Sequence, residues 1–398
     1  MKEPDWETEI DTPATIAIIG GGPAAIEAAL YGRFLGYTVS IFERGKVGSN
    51  LKAWSDFCIA EKWSDVTSTL GLAALEAQHG PQGLPTGDGA ITYGQYLEEY
   101  LIPVAKTDLI YNSLQINSSV LSVSRTCCHP MSELSTQDRS EYEYRVLVDS
   151  RKRGQYSQVF DLVIDCSGKS SKLGMSSGGG LAANEASLSA SMLHGVIEEA
   201  ERESLAGKDV LLFGDGADAM INAFRFAKQT ESRGDGVLYW LTPKWSQKIQ
   251  RQAGPMQRLP KDILQFYESA KNDEVDGVVL FETYGVESLV QLGHAEGTAP
   301  EAKVPAYKAR FQQGAEETLE IEVSAVINCA DQIFSSGHYV GLDVRIDEAS
   351  PLTSEPHIYC LAGASIGEQQ LSKVRAAFAF IGGRKDLDLY ESVKPTAN

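Results

Sequence analysis

The chain is short of positive charge. Its 398 residues carry 35 Lys and Arg against 54 Asp and Glu, a formal net charge of −19. A field of that sign repels nucleic acid and anionic lipid, so neither is expected as a partner. No apolar stretch approaches the ~20 residues of a membrane span. Met1 to Pro13 has no positive region followed by an apolar core, so no secretory signal is read there and a cytoplasmic protein is expected. Six cysteines (Cys58, Cys127, Cys128, Cys166, Cys329, Cys360) show no Cys-x-x-Cys spacing and no metal pattern. Cys166, Cys329 and Cys360 sit in apolar, strand-like runs and read as core. None of the six histidines has a neighbouring acid or nucleophile in a catalytic pattern, so no triad or metal site is expected. The sequon Asn117-Ser118-Ser119 lacks a secretory context.

What is present starts at the N-terminal end. Ile16 to Ile19 run into Gly20-Gly21-Gly22-Pro23-Ala24-Ala25, and a second apolar run, Val39 to Phe42, ends on Glu43, 23 residues after Gly20. This is the GxGxxG/A dinucleotide fingerprint in its context of strand, turn, helix, strand and acid. Gly20 allows the tight turn, Gly22 lets the pyrophosphate approach the backbone, and Ala25 lets the helix pack close to the strand. Phosphates then rest on the helix N-terminus. Glu43 is placed to accept from the adenosine ribose hydroxyls, with Arg44 beside it. The competing reading is a glycine turn in an unliganded α/β domain.

The fingerprint recurs. Asp209 to Phe213 lead into Gly214-Asp215-Gly216-Ala217-Asp218-Ala219, a helix over Met220 to Ala227 and a strand over Val237 to Leu241. Each half then runs through alternating segments that suit a small antiparallel meander: Val120 to Ser124 and Tyr142 to Val148, then Ser288 to Leu292 and Tyr307 to Gln312. Each closes on a similar strand, Asp161 to Gly168 and Ala325 to Asp331, so the chain reads as a duplicated module. The Gly/Ser stretch Ser176 to Gly180 marks a boundary, followed by an expected helix over Glu185 to Arg202. Met131 to Ser140 reads as a surface loop.

Two fingerprints with such closing strands resemble the two-dinucleotide-binding-domain flavoproteins, which include thioredoxin reductases and flavin-containing monooxygenases. A third element adds to the likeness: Pro356 to Ser365 followed by a helix over Ile366 to Ile381 is similar to the family's C-terminal flavin segment. The resemblance spans about residues 14 to 385. It implies an α/β fold of two Rossmann-like domains, each with a small β-meander, the second inserted in the first. The domains are then 1–177 and 333–398, binding FAD, and 178–332, binding NAD(P)H. It implies cofactor contacts from Gly20, Gly22, Pro23, Ala24, Ala25, Glu43, Arg44, Asn50, Gly168, Gly363 and Ala364 for FAD. Gly214, Gly216, Ala219 and Lys244 would serve the second nucleotide. Ala364 stands where the family has an aspartate that bonds the ribityl chain, a departure that bears on the seating of FAD.

Thr242-Pro243-Lys244, with Lys248 and Arg251 beyond, carry no acid where Glu43 sits in the first unit. A cation there pairs with a 2′-phosphate, so NADPH is favoured, with NADH the alternative. The other reading of these cations is a solvated face, and Asp215 and Asp218 place negative charge near the expected pyrophosphate. Asn50, Trp54 and Trp63 follow Glu43 in the stretch that crosses the flavin ring in this family; for both tryptophans, packing is the equal alternative. Tyr93, Tyr96 and Tyr100 share a helix face and read as core. His357 reads as structural.

Flavin performs the electron transfer, so few acid or base residues are required of the chain. The dithiol of thioredoxin reductases is absent. Vicinal Cys127-Cys128 read as a surface loop, and the FxGxxxH signature of flavin-containing monooxygenases is not found. The expected activity is NAD(P)H-linked monooxygenation of a small organic substrate by a chain that could form a homodimer. The alternatives are a dithiol-free reductase serving a protein or quinone acceptor, and an FAD-binding regulatory subunit without turnover.

Overall fold

The structure is a computed structural model that describes residues 6–60, 62–126, 134–233, 236–244, 259–292, 306–313, 317–330, 332–334, 337–342, 344–347, 349–363, 365–384 and 386–392. Contacts divide the chain into two compact units, Met1–Ser170 with Phe334–Asn398, and Ser171–Ile333.

The first unit begins with β1 (Thr15–Ile19), a strand of alternating faces. Ile16 and Ile18 enter a core lined by helices, while Ala17 enters a second core on the opposite side, as period-two geometry requires. Helix α1 (Pro23–Phe34) leads to β2 (Thr38–Phe42), parallel to β1 with Ile18 opposite Ile41. After helix α2 (Thr69–His79), β3 (Leu114–Gln115) pairs with β2. The meander β4 (Ser118–Arg125), β5 (Tyr144–Ser150) and β6 (Gly154–Phe160) follows. It feeds β7 (Leu162–Asp165), which lies parallel to β1 with Asp165 opposite Ile19.

The second unit repeats this plan. Strand β8 (Leu193–His194) precedes β9 (Val210–Phe213), α3 (Ala217–Arg233), β10 (Leu238–Pro243), α4 (Lys261–Lys271) and β11 (Val278–Thr283). A meander of β12 (Gly285–Gln291), β13 (Tyr307–Gln313) and β14 (Glu317–Val323) leads to the closing β15 (Ala325–Asn328). Leu211 and Phe213 pack with Val286, Leu289 and Phe311 from the meander. Trp240 turns the other way, its ring 5.3 Å from that of Tyr267 on α4.

The chain then returns to the first unit as β16 (Ile358–Cys360), beside β7 with Cys360 opposite Asp165, and as α5 (Glu368–Ile381). The two parallel sheets have the orders β16-β7-β1-β2-β3 and β8-β15-β9-β10-β11. The α/β architecture expected from the sequence is therefore present, with parallel sheets and antiparallel meanders.

Two local expectations differ. The helix foreseen over Glu185 to Arg202 is broken into Glu185–Leu188 and Glu199–Ser204, with β8 between them. Glu185 is buried, and its carboxylate accepts from the N–H groups of Met175 (3.0 Å) and Ala182 (2.8 Å). Ser187 and Ser191 donate to nearby carbonyls, and Gly195 takes a left-handed φ of +67°, all of which compete with a continuous helix. In the stretch read as a loop, Thr136–Ser140 form a short helix, capped by Ser135 accepting from Asp138 N–H; residues 131–133, like Cys127 and Cys128, lie outside the described residues.

Helix α1 carries a carboxyl on its buried side. Glu27 accepts from Ser68 Oγ (2.9 Å), Tyr100 Oη (3.0 Å) and Tyr390 Oη (3.5 Å). Burial pushes its pKa up to about 7 against those three lowering bonds. Tyr96 and Tyr100 are in the core, as their helical spacing implies. His357, at φ +58° ahead of β16, is buried with its ring 5.1 Å from that of Trp6, and burial followed by the charge of Arg125 lowers its pKa to about 4.

Candidate functional site

The first glycine turn is shaped by contacts that exclude side chains. Gly20 has φ +106°, and a Cβ there would lie 2.7 Å from the carbonyl oxygen of Cys166. Gly22 is the N-cap of α1 with no side-chain cap, and a Cβ on it would meet nothing within 4 Å. The space before the helix N-terminus is therefore bare backbone, with Pro23 at the first turn where a missing N–H costs nothing. Ala25 is fully buried. Uncapped N–H groups, the positive helix end and absent side chains are what a diphosphate needs.

Glu43, at the tip of β2, borders this turn. One carboxylate oxygen accepts the Gly21 N–H at 2.6 Å and the other the Gly45 N–H at 2.6 Å. Each oxygen retains a lone-pair direction for a further donor. Gly48 N–H donates to Gly21 O at 3.0 Å, tying the following segment to the turn. Asn50 lies exposed on the helical turn Ser49–Lys52 of that segment, and Arg44 is exposed beside Glu43. Trp63 is core, while half-buried Trp54 packs on Phe57 and Tyr93 at 5.9 and 6.1 Å between centroids.

Beyond β7, Gly168 has φ +77° and faces open space, and Gly363 after β16 has φ +82°. Ala364 lies outside the described residues. Helix α5 starts at Gly367, whose φ of +101° and closeness to Asp65 O, 2.4 Å from a would-be Cβ, require glycine.

The second unit repeats the turn's glycine contact and its flanking hydrogen bonds. Gly214 has φ +126°, and its Cβ would lie 2.3 Å from the carbonyl oxygen of Cys329. Gly20 N–H donates to Phe42 O at 2.8 Å and Gly214 N–H to Leu241 O at 2.9 Å. Cys166 N–H donates to Ile19 O and Cys329 N–H to Phe213 O, both at 2.8 Å. Asp165 accepts from Ser167 N–H, and Asn328 from Ala330 N–H, again both at 2.8 Å. Trp240 Nε1 donates to Gly214 O at 2.7 Å and fixes the second turn from behind. Gly216 precedes α3, in which Ala219 is fully buried. Lys244 is exposed after β10, its Nζ 4.9 Å from the ring centre of Tyr284. Lys248 and Arg251 lie outside the described residues.

One grouping escaped the sequence. Asp165 Oδ2 accepts from Tyr339 Oη at 2.7 Å and lies 3.5 Å from His338 Nε2. Burial alone would raise the Asp165 carboxyl, but His338 and the Ser167 bonds outweigh it and hold the pKa below the usual value. The acid at the end of an apolar strand was visible; its partners, 174 positions away in the case of Tyr339, were not. Beside it, burial followed by the charge of Asp165 pushes the Cys166 thiol well above its ordinary pKa. That thiol stays protonated.

No protein-family model and no curated protein matches the sequence. Solved structures do match along nearly the whole chain. The FAD-bound cadaverine monooxygenase of desferrioxamine biosynthesis from Erwinia amylovora superposes with a TM-score of 0.60 at 12% identity, covering 97% of this chain and 97% of that one. The fold is that of the two-domain FAD/NAD(P)-binding oxidoreductases. A bacillithiol disulfide reductase from Bacillus cereus gives 0.56 at 13% identity, with 96% and 99% coverage. The ornithine N-hydroxylase of Kutzneria sp. 744, with reduced FAD, NADP+ and L-ornithine, gives 0.54 at 13% identity, with 96% and 99% coverage. Among the described residues, no helix is long and apolar enough to cross a membrane.

Proposed function

We propose that the protein is an FAD-dependent, NAD(P)H-linked oxidoreductase that monooxygenates a small organic substrate. The carrying observation is the same turn geometry in both units, Gly20 against the Cys166 carbonyl and Gly214 against the Cys329 carbonyl. Two such turns suit two dinucleotides. In the first unit, Gly20, Gly22, Pro23, Ala24 and Ala25 would hold the FAD pyrophosphate, with Glu43 and Arg44 at the adenosine ribose. Asn50, Gly168, Gly363 and Ala364 would border the flavin half. In the second, Gly214, Gly216 and Ala219 would hold the pyrophosphate of NADPH, and Lys244 would pair with its 2′-phosphate. The flavin, when bound, supplies two-electron transfer.

Monooxygenation is favoured over disulfide reduction because the sequence carries no Cys-x-x-Cys pair to act as a redox dithiol. The likeness to two nitrogen-hydroxylating or monooxygenating flavoproteins agrees with it. The likeness to a disulfide reductase supports a second reading, electron transfer to an acceptor other than oxygen.

The test is the absorbance spectrum of the purified protein, followed during addition of NADPH and NADH in air and under argon. A flavin spectrum that bleaches with NADPH and recovers with oxygen supports the proposal. Oxygen consumption coupled to a hydroxylated product then separates monooxygenase from reductase. Bound flavin that neither coenzyme bleaches sinks the second nucleotide site, and failure to bind FAD on reconstitution sinks the whole assignment.

A further inference from the structure

Helix α5 presents Gln370, Lys373, Val374, Ala377, Phe378 and Ile381 inward, at helical spacing. Lys373 is the odd member, a cation only 8% exposed in an otherwise largely apolar stripe. Its Nζ donates to Ala362 O at 3.1 Å, and among the described residues no carboxylate forms an ion pair with it. An ammonium carries three donors, and burying it without a counter-charge is unfavourable. Methionine or leucine would fill the position without that cost. In sequence, Leu361 to Gly367, the segment it supports, contains no acidic residue.

The sheet order says what lies nearby. Ala362 follows β16, β16 is registered with β7, and β7 with β1. Ligands of open α/β sheets bind beyond these carboxyl ends. With Glu43 on the β2 side placed for the adenosine end and the turn after β1 for the pyrophosphate, the remainder of a bound dinucleotide would extend the other way, over β7 and β16. That is the side on which Lys373 contacts Ala362. It is close enough to act on the Cys166 thiol just past β7, where its charge opposes, without overcoming, the upward shift that burial and Asp165 impose.

We propose that Lys373 is a positioning residue that places positive charge beside the flavin ring and thereby raises its reduction potential; this rests on the assignment of FAD to the first unit. Reduction by NADPH delivers two electrons and one proton to the ring and releases NADP+, so the ring gains one negative charge. A cation held in a buried, low-dielectric position favours that product over the neutral oxidised ring.

The experiment compares wild-type holoprotein with Lys373→Gln, which keeps an N–H donor for Ala362 O, with Lys373→Met, and with Lys373→Arg. FAD content, thermal unfolding and the flavin midpoint potential are measured for each. Removing the charge is expected to leave FAD bound and to lower the equilibrium constant for two-electron reduction at least tenfold, a shift of about 30 mV to more negative potential. Lys373→Arg is expected to stay within threefold of wild type. A wild-type potential in a flavin-loaded Gln or Met variant overturns the proposal. So does loss of flavin from both neutral variants while wild type retains it, because the lysine then only holds the segment in place. A wild-type protein that binds no FAD instead overturns the cofactor assignment itself, and is recognised before any variant is compared.

Discussion

Glu43 Oε2 accepts the backbone N–H of Gly21 at 2.6 Å. The residue expected to read the ribose thus also shapes the turn that would hold the phosphates. Glu43→Ala should destabilise the cofactor-free protein by about 1.5–3 kcal/mol, the worth of hydrogen bonds to a charged group, and weaken FAD binding at least tenfold. Urea unfolding and a fluorescence titration with FAD read the two effects. A variant unchanged in both would remove Glu43 from the site.

Substitutions at the two glycine turns should separate the two proposed cofactor sites. Alanine at Gly214 must adopt φ +126° with its Cβ 2.3 Å from Cys329 O, strain of at least about 2 kcal/mol. Gly214→Ala is expected to keep bound FAD and lose NADPH oxidation. Gly20→Ala, with φ +106° and a contact of 2.7 Å, should lose FAD. Flavin content and coenzyme oxidation of both variants provide the check, and a Gly214→Ala protein with normal turnover would contradict the assignment.

The buried carboxyl of Glu27 should make stability depend on pH. Its pKa is raised from 4.5 to about 7, chiefly by burial, so the folded state holds this proton more tightly than the unfolded chain does. The contribution is fully present below pH 4.5 and is lost as pH rises toward about 7, with a span on the order of 3 kcal/mol. Ser68, Tyr96, Tyr100 and Tyr390 face the group and none offers a positive charge. Glu27→Gln should therefore gain on wild type as pH rises through that window, measured by urea unfolding at several pH values. Parallel curves for the two proteins would show that Glu27 does not titrate there.

Lys244 should set coenzyme preference. Lys244→Ala is expected to lower kcat/KM for NADPH about tenfold, close to 1.4 kcal/mol, and to leave NADH unchanged. Equal losses with both coenzymes would mean that the lysine supports Tyr284, above which its Nζ lies at 4.9 Å, and not a 2′-phosphate.

The architecture was legible because its signals are local. Gly20 and Gly214 each follow an apolar strand directly, and the closing runs before Cys166 and Cys329 repeat each other in sequence. Glu185 was misread because helical periodicity does not reveal a carboxylate turned inward to backbone N–H groups. The Asp165, His338 and Tyr339 cluster was hidden by sequence separation, since neither partner shares a motif with the acid. Glu27 and Lys373 were visible as charges in apolar helices, yet only packing shows that both are buried.

The strand supplied last has a consequence for synthesis. Unit one takes its edge strand β16 and helix α5 from chain that follows the whole second unit. Until the ribosome has passed Cys360, β7 presents an unpaired flank and α1 lacks the helix that packs beside it, while the second unit, contiguous in sequence, can already close. A nascent chain stalled between those points would expose a sheet edge, the kind of surface that chaperones cover and that seeds aggregation when they do not.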